Sequence, residues 1–141
     1  MIKPDAVKQK VVGEIIKTIE AQFKIIDIKL ARLSKTQAKD FYAIHKRKEF
    51  YKGLVDFITS GPVVAFLLQG DNIQERVREF IGATDPKKAE AGTIRARFGT
   101  SVQHNAVHAS NPLENPEKEI NFFFQNKKKY ATETRSARRK R

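Results

Sequence analysis

Gly61-Pro62 and Gly70 enclose six consecutive apolar residues, Val63 to Leu68. A run of that length without polar alternation reads as a central strand buried on both faces. Such a strand demands cover on each side, which restricts the chain to layered α/β or α+β arrangements. Ile25 to Leu33 reads as a second, half-buried strand, because Ile26, Ile28 and Leu30 alternate with Asp27, Lys29 and Ala31. The cover is helical. Val12, Ile15, Ile16 and Ile19 fall at helical spacing within Val11 to Phe23. Ser34 with Gln37 forms a capping-box pattern that opens a helix running to about His45, and a short helix follows from Tyr51 to Ile58. Asp71 or Asn72 caps a further helix that ends at Gly82. Residues 83–104 form a long connection rich in Gly, Thr and Arg; connections of that length in a compact domain are often functional. A short strand is expected over Asn105 to His108 and a last helix over Glu114 to Phe124.

At 141 residues the chain fits one domain with a real core. It has no cysteine, so disulfides and thiolate metal sites are excluded, and a cytoplasmic location is expected. No apolar run approaches the about 20 residues needed to span a bilayer. The net charge of +12 is uneven. Residues 125–141 hold eight Lys/Arg against one Glu, leaving a mildly basic body. The division expected is a domain over 1–124 and a basic, disordered tail over 125–141 with weak affinity for polyanions.

The chemistry concentrates in Asn105-Ala-Val-His-Ala-Ser110, preceded by Gly82-Ala-Thr-Asp-Pro86 and Gly92-Thr-Ile-Arg95. One histidine lies within a few residues of an amide and a hydroxyl, and two residues suited to phosphate, Thr84 and Arg95, come shortly before it. A histidine of near-neutral pKa can act as a covalent nucleophile. A lone histidine is more often a satisfied core residue, and only its flanking motifs weigh against that reading here. His104 and His108 are four apart but read as strand and loop with no third ligand, so no protein metal site is expected. His45 reads as a surface helix residue.

These segments closely resemble the nucleoside diphosphate kinase family, whose pattern is Asn-x-x-His-Gly-Ser-Asp. Ile2-Lys-Pro-Asp5 and Phe57-Ile-Thr-Ser-Gly-Pro-Val-Val64 match two further family motifs, and the likeness runs from Met1 to about Phe124. The resemblance implies an α+β ferredoxin-like sandwich, a four-stranded antiparallel sheet with helices packed on it. It implies γ-phosphoryl transfer from a nucleoside triphosphate to a nucleoside diphosphate by a ping-pong mechanism through a phosphohistidine at His108. Glu119, supported by Ser110, would hold the imidazole. Lys3, Arg78, Thr84 and Arg95 would bind phosphates, with Lys3 also reaching the sugar hydroxyls. Tyr42 would lie near the transferred group and Asn105 at the ribose. Phe50 would stack on the base, with Leu54 and Val102 as apolar neighbours; stacking accepts every base. Magnesium would arrive with the nucleotide phosphates. The resemblance also implies a homo-oligomer, a hexamer or a tetramer built from dimers.

The sequence departs from the family at several points. His108-Ala-Ser-Asn111 replaces His-Gly-Ser-Asp, Ile44 stands where relatives usually carry an acidic residue, and Glu49 replaces a common proline. Lys3 has only two residues before it, so the first strand is expected to be short. A rival reading is a nucleic-acid-binding module on a ferredoxin-like sheet. It lacks the Lys/Arg-Gly-Phe type of strand such a module would carry.

Overall fold

The computed structural model describes residues 1–111 and 116–124. In chain order its helices and strands are α1 (Pro4–Lys8), α2 (Val12–Glu20), β1 (Lys24–Ala31), α3 (Lys35–Phe41), α4 (Tyr51–Ile58), β2 (Val63–Gln69), α5 (Ile73–Ile81), α6 (Ile94–Phe98) and α7 (Pro116–Phe123), with a 3-10 turn at Ala43–His45 between α3 and α4. β1 and β2 pair antiparallel, from Lys24 opposite Gln69 to Ala31 opposite Val63, with a bulge between Ile25 and Asp27. The other side of β2 is met by Ile2, which bridges Val64, and Ile2 in turn bridges Val107, both antiparallel. The lateral order is β1, β2, Ile2, Val107. This is the expected four-stranded sheet, with two members reduced to single-residue bridges. The first is short because Pro4, which has no N–H to give to a ladder, turns the chain directly into α1. The fourth is short because the backbone reverses its handedness at Ala106.

β2 is the central strand expected from its unbroken apolar run, and its alternate side chains feed two cores. Val64 joins Ile2, Ile15, Ile19, Ile81, Ile94 and Val107, with Phe66 and Leu68 at the margin. Val63 and Ala65 face the opposite way, toward Ala38, Tyr42, Val55, Ile58 and Phe123. Helices α2, α5 and α6 therefore cover one face, and α3, α4 and α7 the other. The capping box at Ser34 is present in both directions.

Three sequence expectations are revised, and one helix, α1, was not expected. Residues 83–104 are not a bare connection: Thr93 caps the helical turn α6, its hydroxyl accepting from the Ala96 N–H. α1 falls in a stretch with too few residues for a periodic signal. Asn72 sits at the start of α5, but in a left-handed conformation and without a side-chain cap. The apolar face of β1 is half-buried only at Ile26, since Ile28 is 43% and Leu30 68% exposed, on a strand at the edge of the sheet. The final helix begins at Pro116; positions 114–115 and the tail from 125 onward lie outside the described residues. Among the described residues no helix is long and apolar enough to cross a membrane.

Gly82 is the stop that sends the chain from α5 toward the site. Its φ is +99°, and a Cβ built there would lie 2.5 Å from Thr93 Oγ1. Gly82→Ala must bear both a left-handed side chain and a clash with the residue that caps α6. It is expected to cost about 2 kcal/mol or more of unfolding free energy in urea titrations, and an unchanged midpoint would contradict this placement.

Candidate active site

A turn, not a strand, presents the histidine. Ala106 has φ +74°, and the Val107 N–H donates to the Asn105 carbonyl at 2.9 Å. A hydrogen bond between residues two apart around a positive φ defines a γ-turn, a strained arrangement. The Ala106 carbonyl accepts from the Lys3 N–H at 2.8 Å. Its own N–H donates to Asp5 Oδ2 at 3.0 Å. The Val107 carbonyl accepts from Arg95 Nη2 at 3.0 Å. Just beyond the turn, the His108 N–H donates to the Met1 carbonyl at 2.8 Å.

His108 Nε2 lies 2.9 Å from Glu119 Oε1. A carboxylate can only accept, so the ring proton belongs on Nε2. Nδ1 is then the basic nitrogen, and it has no hydrogen-bond partner among the described residues. Ser110 Oγ donates to the second oxygen, Glu119 Oε2, at 2.5 Å. Burial pushes the His108 pKa below its ordinary value, and the Glu119 carboxylate resists that shift. Burial pulls the Glu119 pKa up, but the hydrogen bonds and charge of His108 and the bond from Ser110 outweigh it, so the net direction is down. The ring of Phe41 stands edge-on to the imidazole with centroids 5.5 Å apart.

Three cations lie close to the histidine: the Lys3 charge acts on its ring, and Arg95 and Arg78 hold the backbone carbonyls on either side of it. Lys3 is 6% exposed, and its ammonium donates to Asn105 Oδ1 at 2.8 Å. The Asn105 amide in turn donates to the Thr84 carbonyl at 3.0 Å. Burial and the nearby Arg95 charge lower the Lys3 pKa to about 8, with Asp5 opposing. Arg95 donates to the Gly82 carbonyl at 3.0 Å and leaves Nε without a partner among the described residues. Burial, then Arg78, lowers its pKa to about 10. Arg78 Nη1 reaches the Ala109 carbonyl at 3.4 Å. Three cations crowded together with part of their donor capacity unspent suit an anion of high charge.

The structure thus brings His108, Ser110, Glu119, Lys3, Asn105, Arg78 and Arg95 into one network, with Thr84 joined through its backbone. Tyr42 is buried nearby; its hydroxyl has no partner among the described residues, and burial followed by the Glu119 charge raises its pKa. Phe50, Leu54 and Val102 form a separate, more open region. Phe50 is 52% and Val102 56% exposed. α4 brings them near one another: a Cβ at Gly53 would meet Gln103 at 3.3 Å, and the Phe57 ring packs on His104 at 4.3 Å. His45 is not a plain surface residue, because its ring lies 5.4 Å from that of Phe50 and 6.4 Å from that of Tyr42. The methyl of Ala109 is accommodated, since its backbone is not among the left-handed positions. Sequence reasoning gave no part to Asp5, although it lies in a quoted motif, and none to Phe41, which carries no signal beyond being apolar.

The family profile described as nucleoside diphosphate kinase matches residues 1–129. A nucleoside diphosphate kinase of Campylobacter curvus is 54% identical over 125 residues, covering 88% of this chain and 91% of that one. One from Wolinella succinogenes is 53% identical with the same coverage. Among solved structures, the Aquifex aeolicus nucleoside diphosphate kinase superposes with a TM-score of 0.81 at 41% identity, over 86% of this chain and 89% of that one. The Halobacterium salinarum enzyme in complex with CDP gives 0.84 at 38% identity, over 89% and 84%. The chain is a phosphotransferase. It belongs to the nucleoside diphosphate kinase family, and its reaction moves the γ-phosphoryl group of a nucleoside triphosphate onto a nucleoside diphosphate.

The environment of His108 has a testable sign. Burial disfavours the imidazolium, so the ring is expected to titrate below its ordinary value of 6.5 and to be neutral at pH 7. In Glu119→Gln the charge that resists the shift is gone, and the midpoint is expected to fall further. Nitrogen NMR of the imidazole across pH 4 to 8 (~0.5 pH steps) resolves both. A midpoint that rises in the variant would contradict the assignment.

Proposed function

We propose that His108 is the residue that carries the phosphoryl group between the two nucleotides. The observation that supports this is the bond from Nε2 to Glu119, which leaves Nδ1 as the basic nitrogen, with Lys3, Arg95 and Arg78 in the same neighbourhood. The Nδ1 lone pair attacks the γ-phosphorus. An N–P bond forms as the bond to the β,γ-bridging oxygen breaks, and the nucleoside diphosphate departs with that electron pair. The Nε2 proton stays on the ring throughout, held by Glu119, whose negative charge offsets positive charge gathering on the imidazole. A second nucleoside diphosphate then attacks the phosphorus with a terminal β-phosphate oxygen, and the N–P bond breaks toward Nδ1. Both nucleotides use one pocket in turn, which gives ping-pong kinetics.

Lys3, Arg78, Thr84 and Arg95 take the phosphates and neutralise charge as it shifts in the transition state. Tyr42, with its unpartnered hydroxyl, takes the transferred group, and Asn105 takes the ribose. Phe50 stacks on the base beside Leu54 and Val102. Magnesium fits as a guest of the nucleotide. Both Glu119 oxygens are engaged, one Asp5 oxygen is committed to the Ala106 N–H, and no group of three or more acidic or histidine ligands occurs among the described residues. A cation that prefers phosphate oxygens and water suits that donor set and would neutralise the phosphate charge.

The exposed Ile28 and Leu30 on the edge strand β1 support a homo-oligomer assembled from dimers, either hexamer or tetramer. The substrates are metabolites of the cytoplasm, and the reading places the enzyme there. Residues 1–124 form the kinase domain, and the basic tail from 125 is an appendage with weak affinity for polyanions.

Incubation with γ-labelled ATP and magnesium, without acceptor, is expected to give an isolable, acid-labile phosphoprotein. His108→Ala is expected to lose both label and turnover while still binding nucleotide, and His104→Ala to keep the label. Label retained in His108→Ala would overturn the reading.

A further inference from the structure

The γ-turn that presents His108 needs a device to hold it. Alanine pays a penalty at φ +74° that glycine does not. Ala106 is fully buried, so its N–H has no water to turn to. Its carbonyl is held by the Lys3 backbone, and the Val107 N–H is spent inside the turn. The Ala106 N–H has one acceptor, Asp5 Oδ2 at 3.0 Å. Asp5 stands in the first turn of α1, where an acidic residue favours the helix dipole without any further contact. That role alone would leave the carboxylate in water. Instead it crosses 101 positions of sequence to the turn, and its other oxygen, Oδ1, is buried without a hydrogen-bond partner among the described residues.

We propose that Asp5 is a positioning residue for phosphoryl transfer. Its carboxylate holds Ala106 in the left-handed conformation and thereby sets the direction in which His108 leaves the backbone, while Asn105 keeps its own bonds to Lys3 and Thr84. An extended Ala106 would lie two residues from His108 on the same side of a regular strand. The imidazole would then leave the sheet at another angle and depth, away from Glu119 at one nitrogen and from the cations at the other. The proposal rests on the reading that His108 carries the phosphoryl group.

The competing role for Asp5 is electrostatic, since its charge also faces the Lys3 ammonium. Two substitutions separate the roles. Asp5→Asn keeps an oxygen that can accept the Ala106 N–H but removes the charge. Ala106→Gly lets the turn form at no conformational penalty without restoring any charge near Lys3.

The measurement is the single-turnover rate at which the full-length protein is phosphorylated by γ-labelled ATP with magnesium, beside the dissociation constant for ADP. Asp5→Ala is expected to slow phosphorylation roughly ten- to a hundredfold, the range for a misplaced reacting group, with the ADP constant within about threefold. Asp5→Asn is expected to stay within about fivefold of the parent, because the acceptor remains. Adding Ala106→Gly to Asp5→Ala is expected to recover roughly tenfold, because glycine adopts positive φ freely. A parent-like rate in Asp5→Ala overturns the proposal. So does a loss that neither Asp5→Asn nor the added glycine restores, which would assign Asp5 to the Lys3 charge. If Asp5→Ala alone does not fold, the double variant decides: a folded, phosphorylated protein supports the turn, and any other result overturns it. These outcomes are independent of the phosphohistidine reading, which fails separately if His108→Ala still accepts label.

Discussion

The contact between His108 Nε2 and Glu119 is the constraint on which the rest of the site depends. It joins a turn at the edge of the sheet to α7 and decides which imidazole nitrogen is nucleophilic. Aromatic rings pack beside it. Phe122 and Phe123 on α7 lie 5.2 and 5.7 Å from Phe41, and Phe41 faces the imidazole itself. An ion pair on an open surface contributes little. This pair is 26% and 22% exposed at the side chains, and Ser110 fixes the remaining carboxylate oxygen. Its value lies in orientation, because a ring held at one nitrogen presents the other in a single direction.

The cations are held on the same economy. Arg95 ties the end of α5, through the Gly82 carbonyl, to the histidine turn, through the Val107 carbonyl. Lys3 ties the opening segment to Asn105, and Asn105 ties the turn to Thr84. Each of these proposed phosphate ligands is thus also a brace of the local fold. The arrangement carries an electrostatic cost, visible in the lowered pKa values of Lys3 and Arg95. On the proposed reading, the charge of a polyphosphate would offset that cost.

Much of this was legible in the sequence, and what was hidden has physical reasons. β2 announced itself because burial on both faces leaves an unbroken apolar run. Ser34 and Gln37 announced the start of α3 because a cap is a local device. The site residues were placed by motif, since nothing in spacing alone joins Lys3 to Asn105 across the sheet. The γ-turn was invisible: Asn105 to His108 reads as a strand, and alanine gives no hint of positive φ. α6 was too short for periodicity to expose. The exposure of Ile28 and Leu30 could not be read either, because alternation reports that a face is apolar and says nothing of what covers it.

The position of the phosphoryl group on the imidazole tests the central claim most directly. On the proposed reading Glu119 holds the proton on Nε2, and attack proceeds from Nδ1. Phosphorus and nitrogen NMR of the protein, labelled in its histidines and phosphorylated by ATP, distinguishes the two ring nitrogens through their coupling to phosphorus. Phosphorus bonded to Nδ1 of His108 is the expected result. Phosphorus on Nε2, or on any other side chain, would contradict the assignment of Glu119 as the group that selects the nucleophile.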